Sequence, residues 1–139
     1  MPGIASLLIV ASTVILLVLG SIHLFYTFRG RMLFPREEEL IDGMKRSALV
    51  LTRETTVWKA WIGFNASHSL GILMFALVYA WLALAAPTVL FGSIFLRILG
   101  LAFLLTYVAL ARRYWFSVPF RGVALAAVLY LAGLGAGAL

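Results

Sequence analysis

Two histidines, an asparagine and a tyrosine are the groups in this sequence best suited to chemistry. His23 lies in a first long apolar stretch, Asn65 and His68 in a second, and Tyr107 in a third. Histidine changes charge near neutral pH and serves as acid, base or ligand, so an imidazole within apolar sequence is a site candidate by default. The spacing of Asn65 and His68 puts both on one helix face. Trp61, Thr27, Ser67 and Ser69 lie close in sequence, and Arg112, Arg113 and Arg121 flank the junction of the third and fourth stretches. Arginine suits phosphate or carboxylate and aromatic side chains line ligand pockets, so the set fits the head of an anionic or quinone-like amphiphile whose tail runs between helices. Catalysis would fall to the histidines, Tyr107 and the hydroxyls of Ser67 and Ser69. No carboxylate stands at that depth to orient a histidine, which disfavours a serine-type triad.

Two histidines at one depth on neighbouring helices are also what a b-type haem requires, with Gly20 and Gly71 beside them to admit a flat ring. No metal site is expected: the chain has no cysteine and no span carries a carboxylate, whereas zinc takes three or four ligands. The opposing reading is structural, with Asn65 and His68 as hydrogen-bonded glue between helices at about 0.6 kcal/mol per bond.

The elements that must position these groups follow from composition. Of 139 residues, 64% are hydrophobic and 12% charged, where a soluble domain is about a quarter charged. Twelve of the sixteen charges fall within residues 29–59, leaving long apolar runs elsewhere whose only charges are Arg97, Arg112, Arg113 and Arg121. Each run exceeds the roughly 20 residues that cross a bilayer, and the expected spans are 4–28, 60–86, 88–111 and 116–139. The first is too long for a signal-peptide core and lacks a basic leader. The fold class is therefore all-α, an integral membrane four-helix bundle forming one domain over 1–139. Within the first loop, Pro35, three glutamates and later basic residues predict a short interfacial helix over about 35–51, with an Asp42–Arg46 pair.

Both basic loops, 29–59 and the one at Arg112 and Arg113, should be cytoplasmic and both termini on the far side. The net charge of +6 then sets orientation and meets anionic lipid, and nucleic acid is not an expected partner, because no soluble basic domain exists to carry it.

Heptad-like spacing marks the inward seams: Thr13, Leu16, Gly20, His23 and Thr27; Trp58, Trp61, Asn65, His68, Ile72, Phe75 and Tyr79; Ser93, Arg97, Gly100, Leu104, Tyr107 and Ala111. The fourth run has Gly122, Ala126, Tyr130, Gly133 and Gly137, a small-residue face for close packing within the chain or between copies. A second polar layer, Thr13, Tyr79, Arg97 and Tyr130, is expected in the other leaflet. Arg97 costs about 2.5–3.5 kcal/mol to insert and has no acidic residue in any span. Tyr79 and Tyr130 are its expected cation–π partners and Thr13 or Ser93 its hydrogen-bond acceptors; otherwise it holds an anionic ligand, a lipid or an acidic partner in another chain.

The run from Leu51 to Gly71, above all Gly63-Phe64-Asn65-Ala66-Ser67-His68-Ser69, resembles the signature of a family of small, uncharacterised four-helix bacterial integral membrane proteins, with His23 as a second fixed point. That resemblance implies the four-span fold and a bacterial inner membrane, but no activity. The length also suits the eicosanoid and glutathione membrane family, whose arginine, asparagine and glutamate pattern is missing. Two functions follow as expectations. One is binding of a hydrophobic or amphiphilic ligand (quinone-, lipid- or isoprenoid-like, or haem) in the cytoplasmic leaflet. The other is a non-catalytic assembly or accessory subunit, as a homo-oligomer or within a larger membrane complex, docking through Arg97 and the glycine face.

Overall fold

The computed structural model describes residues 3–137; the last two residues of the expected fourth span lie outside them. Six helices form among the described residues and no strand: α1 (Ile4–Phe28), α2 (Glu38–Arg46), α3 (Val57–Ala85), α4 (Pro87–Gly92), α5 (Ile94–Tyr114) and α6 (Ser117–Ala136). Four of them, α1, α3, α5 and α6, are long and apolar enough to cross a membrane. In hydrocarbon every backbone polar group must be satisfied internally, which is why these apolar runs are helical. The protein is an all-α membrane helical bundle with a short helix in its first loop.

Local chemistry sets the ends. After α1, Gly30 adopts φ +79°, a left-handed conformation in which glycine carries no Cβ penalty. Thr56 starts α3 by accepting the Lys59 N–H at 3.3 Å. Pro87 ends that run and opens α4 at its first position, where its missing N–H costs nothing. Ser93 then caps α5, its hydroxyl accepting the Leu96 N–H at 3.3 Å. The third span is therefore not continuous over 88–111 as its hydropathy suggests: it breaks at Ser93, and Arg97 falls in the first turn of α5.

The first-loop helix is likewise shorter than 35–51. Glu37 and Ser47 on either side are extended, and Ala48 is drawn into an antiparallel bridge with Thr56. The ion pair inside α2 joins Asp42 to Lys45 at 3.9 Å rather than to Arg46. Its glutamates and basic residues do sit in the first and last turns, as the macrodipole favours.

By internal packing the chain divides into two units, one comprising residues up to Leu19 with those from Ile72 onward, the other Gly20–Gly71. In the larger unit the core is built by Ile9, Leu16, Ala76, Tyr79, Leu90, Leu104, Val123, Ala126 and Tyr130. Small residues let α6 lie close on α1. A Cβ at Gly133 would stand 2.8 Å from Ile9 Cδ1 and 3.1 Å from the Ala5 carbonyl oxygen, and one at Gly122 would stand 2.7 Å from Leu19. The buried Ser12 hydroxyl donates across the same seam to the Ala126 carbonyl at 2.7 Å. Gly137 abuts Phe91 of α4, so the glycine face is occupied within the chain. Rings stack along α3 and α5, with Phe75 parallel to Phe103 at 4.0 Å, Phe75 on Tyr79 at 4.4 Å and Phe103 on Tyr107 at 4.5 Å.

Candidate functional site

The smaller unit contains the end of α1, the first loop and the start of α3, and it brings His23, Asn65 and His68 together. The His23 Nε2–H donates to Asn65 Oδ1 at 2.9 Å, and the His23 and His68 rings meet edge to face with centroids 5.3 Å apart. All three side chains are half-buried. The helix register explains the grouping. Asn65 and His68 are one turn apart on α3, and His23 stands on the inward face of α1 that also buries Thr27.

Hydrogen-bond direction is fixed by the Asn65 amide. Its Nδ2 donates to the Trp61 carbonyl at 2.8 Å, and a carbonyl can only accept. The other amide atom, Oδ1, therefore faces His23, and the imidazole nitrogen opposite it must carry the hydrogen. In the neutral ring Nδ1 is then a lone-pair acceptor. The neighbouring hydroxyls are committed to their own helices: Thr27 donates to the His23 carbonyl at 2.8 Å, Ser69 to the Asn65 carbonyl at 2.8 Å and Ser67 to the Phe64 carbonyl at 3.1 Å. Both serine hydrogens are thus directed at backbone carbonyls of α3.

The haem reading does not fit this arrangement. Two axial imidazoles must turn their nitrogens toward one iron from opposite faces of a macrocycle. Here the two rings touch each other and His23 Nε2 is engaged by Asn65. Among the described residues no three His, Asp or Glu side chains gather as metal ligands.

No protein-family model, curated protein or solved structure matches this chain. The chemistry is accordingly that of the side chains in place. Trp61, expected beside the site, donates its indole N–H to the Leu33 carbonyl at 3.3 Å and so ties α3 to the first loop. Trp58 supports the same junction, edge-on to Phe34 at 4.7 Å and beneath the Lys45 ammonium at 5.9 Å.

The remaining expected residues belong to the larger unit. Tyr107 is half-buried in the aromatic stack, with Trp115 edge-on at 6.0 Å. Arg112, Arg113 and Arg121 are exposed, Arg113 lying over the Tyr114 ring at 5.7 Å. A surface groove of about 360 Å³ at this corner is lined by Arg112, Trp115, Phe116 and Phe120. A larger one of about 520 Å³, bordered by Ser6, Ala83, Pro87 and Phe91, contains no titratable side chain.

Of the expected second polar layer, Tyr79, Tyr130 and the backbone at Arg97 come together, but the bonding differs from expectation. Tyr79 and Tyr130 direct their hydroxyls at backbone: Tyr79 donates to the Leu96 carbonyl at 2.7 Å and Tyr130 to the Arg97 carbonyl at 3.2 Å. Thr13 donates to the Val10 carbonyl of its own helix at 2.8 Å, and Ser93 is occupied as a cap. None of the four accepts from the guanidinium, and Arg97 Nε is buried without a partner. Gly100 makes the tyrosine arrangement possible, since a Cβ there would overlap Tyr130 Oη and stand 2.7 Å from Tyr79 Cε1. Gly100 appears in the sequence only as a seam position; its role as a slot depends on rings more than 20 residues away in either direction.

Proposed function

We propose that this chain is a small polytopic membrane protein that binds a hydrophobic or amphiphilic ligand, quinone-, lipid- or isoprenoid-like, at His23, Asn65 and His68. The site would lie in the cytoplasmic leaflet of a bacterial inner membrane, with both termini outside the cytoplasm. The basic loops support that orientation, and the resemblance around residues 63–69 supports the membrane.

The observation that carries the reading is the fixed imidazole. His23 Nε2 faces Asn65 Oδ1 and Asn65 is itself held by the Trp61 carbonyl, so in the neutral form of this half-buried ring the hydrogen lies on Nε2 and Nδ1 is the acceptor. This orientation selects a head bearing a hydroxyl or N–H donor, so within the proposed class a quinol, a lipid hydroxyl or an isoprenoid alcohol suits Nδ1 better than an oxidised quinone, whose carbonyls only accept. The competing role, an accessory subunit docking through the α6 glycines, loses part of its basis because those glycines contact α1 and α4 side chains.

The test is native mass spectrometry of the protein extracted in a mild detergent. A reproducible small-molecule adduct on the parent chain is expected, lost from His23→Ala and weakened in Asn65→Leu while helical content by circular dichroism is unchanged. A bare parent chain refutes the reading, as does an adduct retained equally by both variants. A parent chain that leaves the membrane attached to another protein transfers the weight to the subunit role.

A further inference from the structure

We propose that the tip of the first loop, residues 49–55, is an anchor for an anionic lipid surface, with Val50 and Leu51 entering the acyl edge and Arg46, Arg53 and Lys59 gripping the headgroups. This stands independently of the ligand reading. The tip has a defined shape. Ala48 bridges Thr56 at its base, the Val57 N–H donates to the Ser47 carbonyl at 2.9 Å, and the Glu54 N–H donates to Thr52 Oγ1 at 3.2 Å in a side-chain turn. Two adjacent apolar residues are displayed at its apex with almost no cover, Val50 at 109% and Leu51 at 91% exposure.

Connectivity places a bilayer within reach. The tip runs into α3 at Val57, and α3 is long and apolar enough to span. The six-residue separation of Leu51 from Val57 extends at most about 20 Å at about 3.3 Å per residue.

Charge selects the occupant. Within residues 45–59 there are four basic side chains and one acidic one, and Arg46, Arg53 and Lys59 are all exposed. Among the described residues the ion pairs are Arg31–Glu38 and Lys45–Asp42, which leaves these three cations unpaired. A second copy of the same tip would bring like charges together, whereas anionic headgroups neutralise them while the paired aliphatic side chains reach hydrocarbon.

The chain has no cysteine, so Leu51→Cys carries a single polarity-sensitive fluorophore without further changes. The labelled protein is reconstituted in phosphatidylcholine vesicles, with or without phosphatidylglycerol. The expected result is blue-shifted emission quenched by acyl-chain nitroxide lipids, stronger with phosphatidylglycerol and weakened by salt, while a label at Glu39→Cys on α2 emits as in water. At about 1 kcal/mol per basic residue near an anionic surface, adding Arg53→Gln lowers the ratio of inserted to free tip about fivefold. Water-like emission from position 51 in both vesicles overturns the proposal. So does a blue shift that acyl quenchers leave untouched, which would mean that protein covers the tip. Equal insertion with and without phosphatidylglycerol overturns the assignment of an anionic surface.

Discussion

Gly100→Ala places a methyl group where the structure has no space for one. The added carbon overlaps Tyr130 Oη and stands 2.6 Å from Tyr130 Cζ and 2.7 Å from Tyr79 Cε1. Neither ring can give way easily: Tyr130 is fully buried and Tyr79 nearly so, and both are held by hydrogen bonds to the first turn of α5. Overpacking of this kind costs about 1–3 kcal/mol. Tyr130→Phe alone removes an interhelical hydrogen bond, which in a bilayer averages about 0.6 kcal/mol. The double variant is the informative one. Deleting Oη removes the worst overlap but leaves the two ring carbons in place, so the pair is expected to be less destabilised than the sum of the singles by about 1 kcal/mol, within the range for contacting residues. Equilibrium unfolding in mixed micelles of sodium dodecyl sulfate and a mild detergent, followed by circular dichroism, measures all three variants. Unchanged stability of Gly100→Ala, or strict additivity in the double variant, would refute the slot between α5 and the tyrosines.

Two further outcomes follow from the same structure. Gly133→Leu drives a side chain into Ile9 and the Ala5 carbonyl, while a Cβ added at Gly135, two positions on, would meet nothing within 4 Å; the first substitution is expected to unfold at lower dodecyl sulfate and Gly135→Leu to match the parent, and equal behaviour would contradict the α1–α6 contact. Arg97→Met removes a buried donor that has no acceptor, and because such a donor costs about 1–3 kcal/mol, the variant is expected to be at least as stable as the parent in the same titration. A clear loss of stability would show that the guanidinium is held by something beyond this chain.

Much of the framework is legible in residue spacing. The inward seams of α1, α3, α5 and α6 appear as 3- and 4-residue intervals because lipid imposes one outward face on each helix, and all the residues so marked except Trp61 and Gly137 are buried or half-buried. The grouping of His23 with Asn65 and His68 follows from the same intervals. Three things are not local. The break at Ser93 competes with an apolar run whose hydropathy is continuous across it, and only the cap geometry decides. The length of α2 is cut by a bridge from Ala48 to Thr56, a partner that α2 itself does not encode. The targets of Tyr79 and Tyr130 are backbone carbonyls, which carry no signature in residue type; side-chain chemistry alone therefore paired those rings with Arg97.

The division of buried side chains between the two units bears on how the molecule breathes. Among the described residues, Ile41 is the one buried hydrophobic side chain within Gly20–Gly71; every other member of the core lies in the larger unit. Around His23 and Asn65 the helices are joined by a polar contact and by ring edges, with little interdigitated aliphatic packing. Free energies of local opening scale with such packing, so the end of α1 and the start of α3 are where helices part most readily. Their backbone bonds are intrahelical and survive that parting. Amide exchange would register little, while imidazole and indole resonances would broaden, the mark of side chains letting go without unravelling of the helices that carry them.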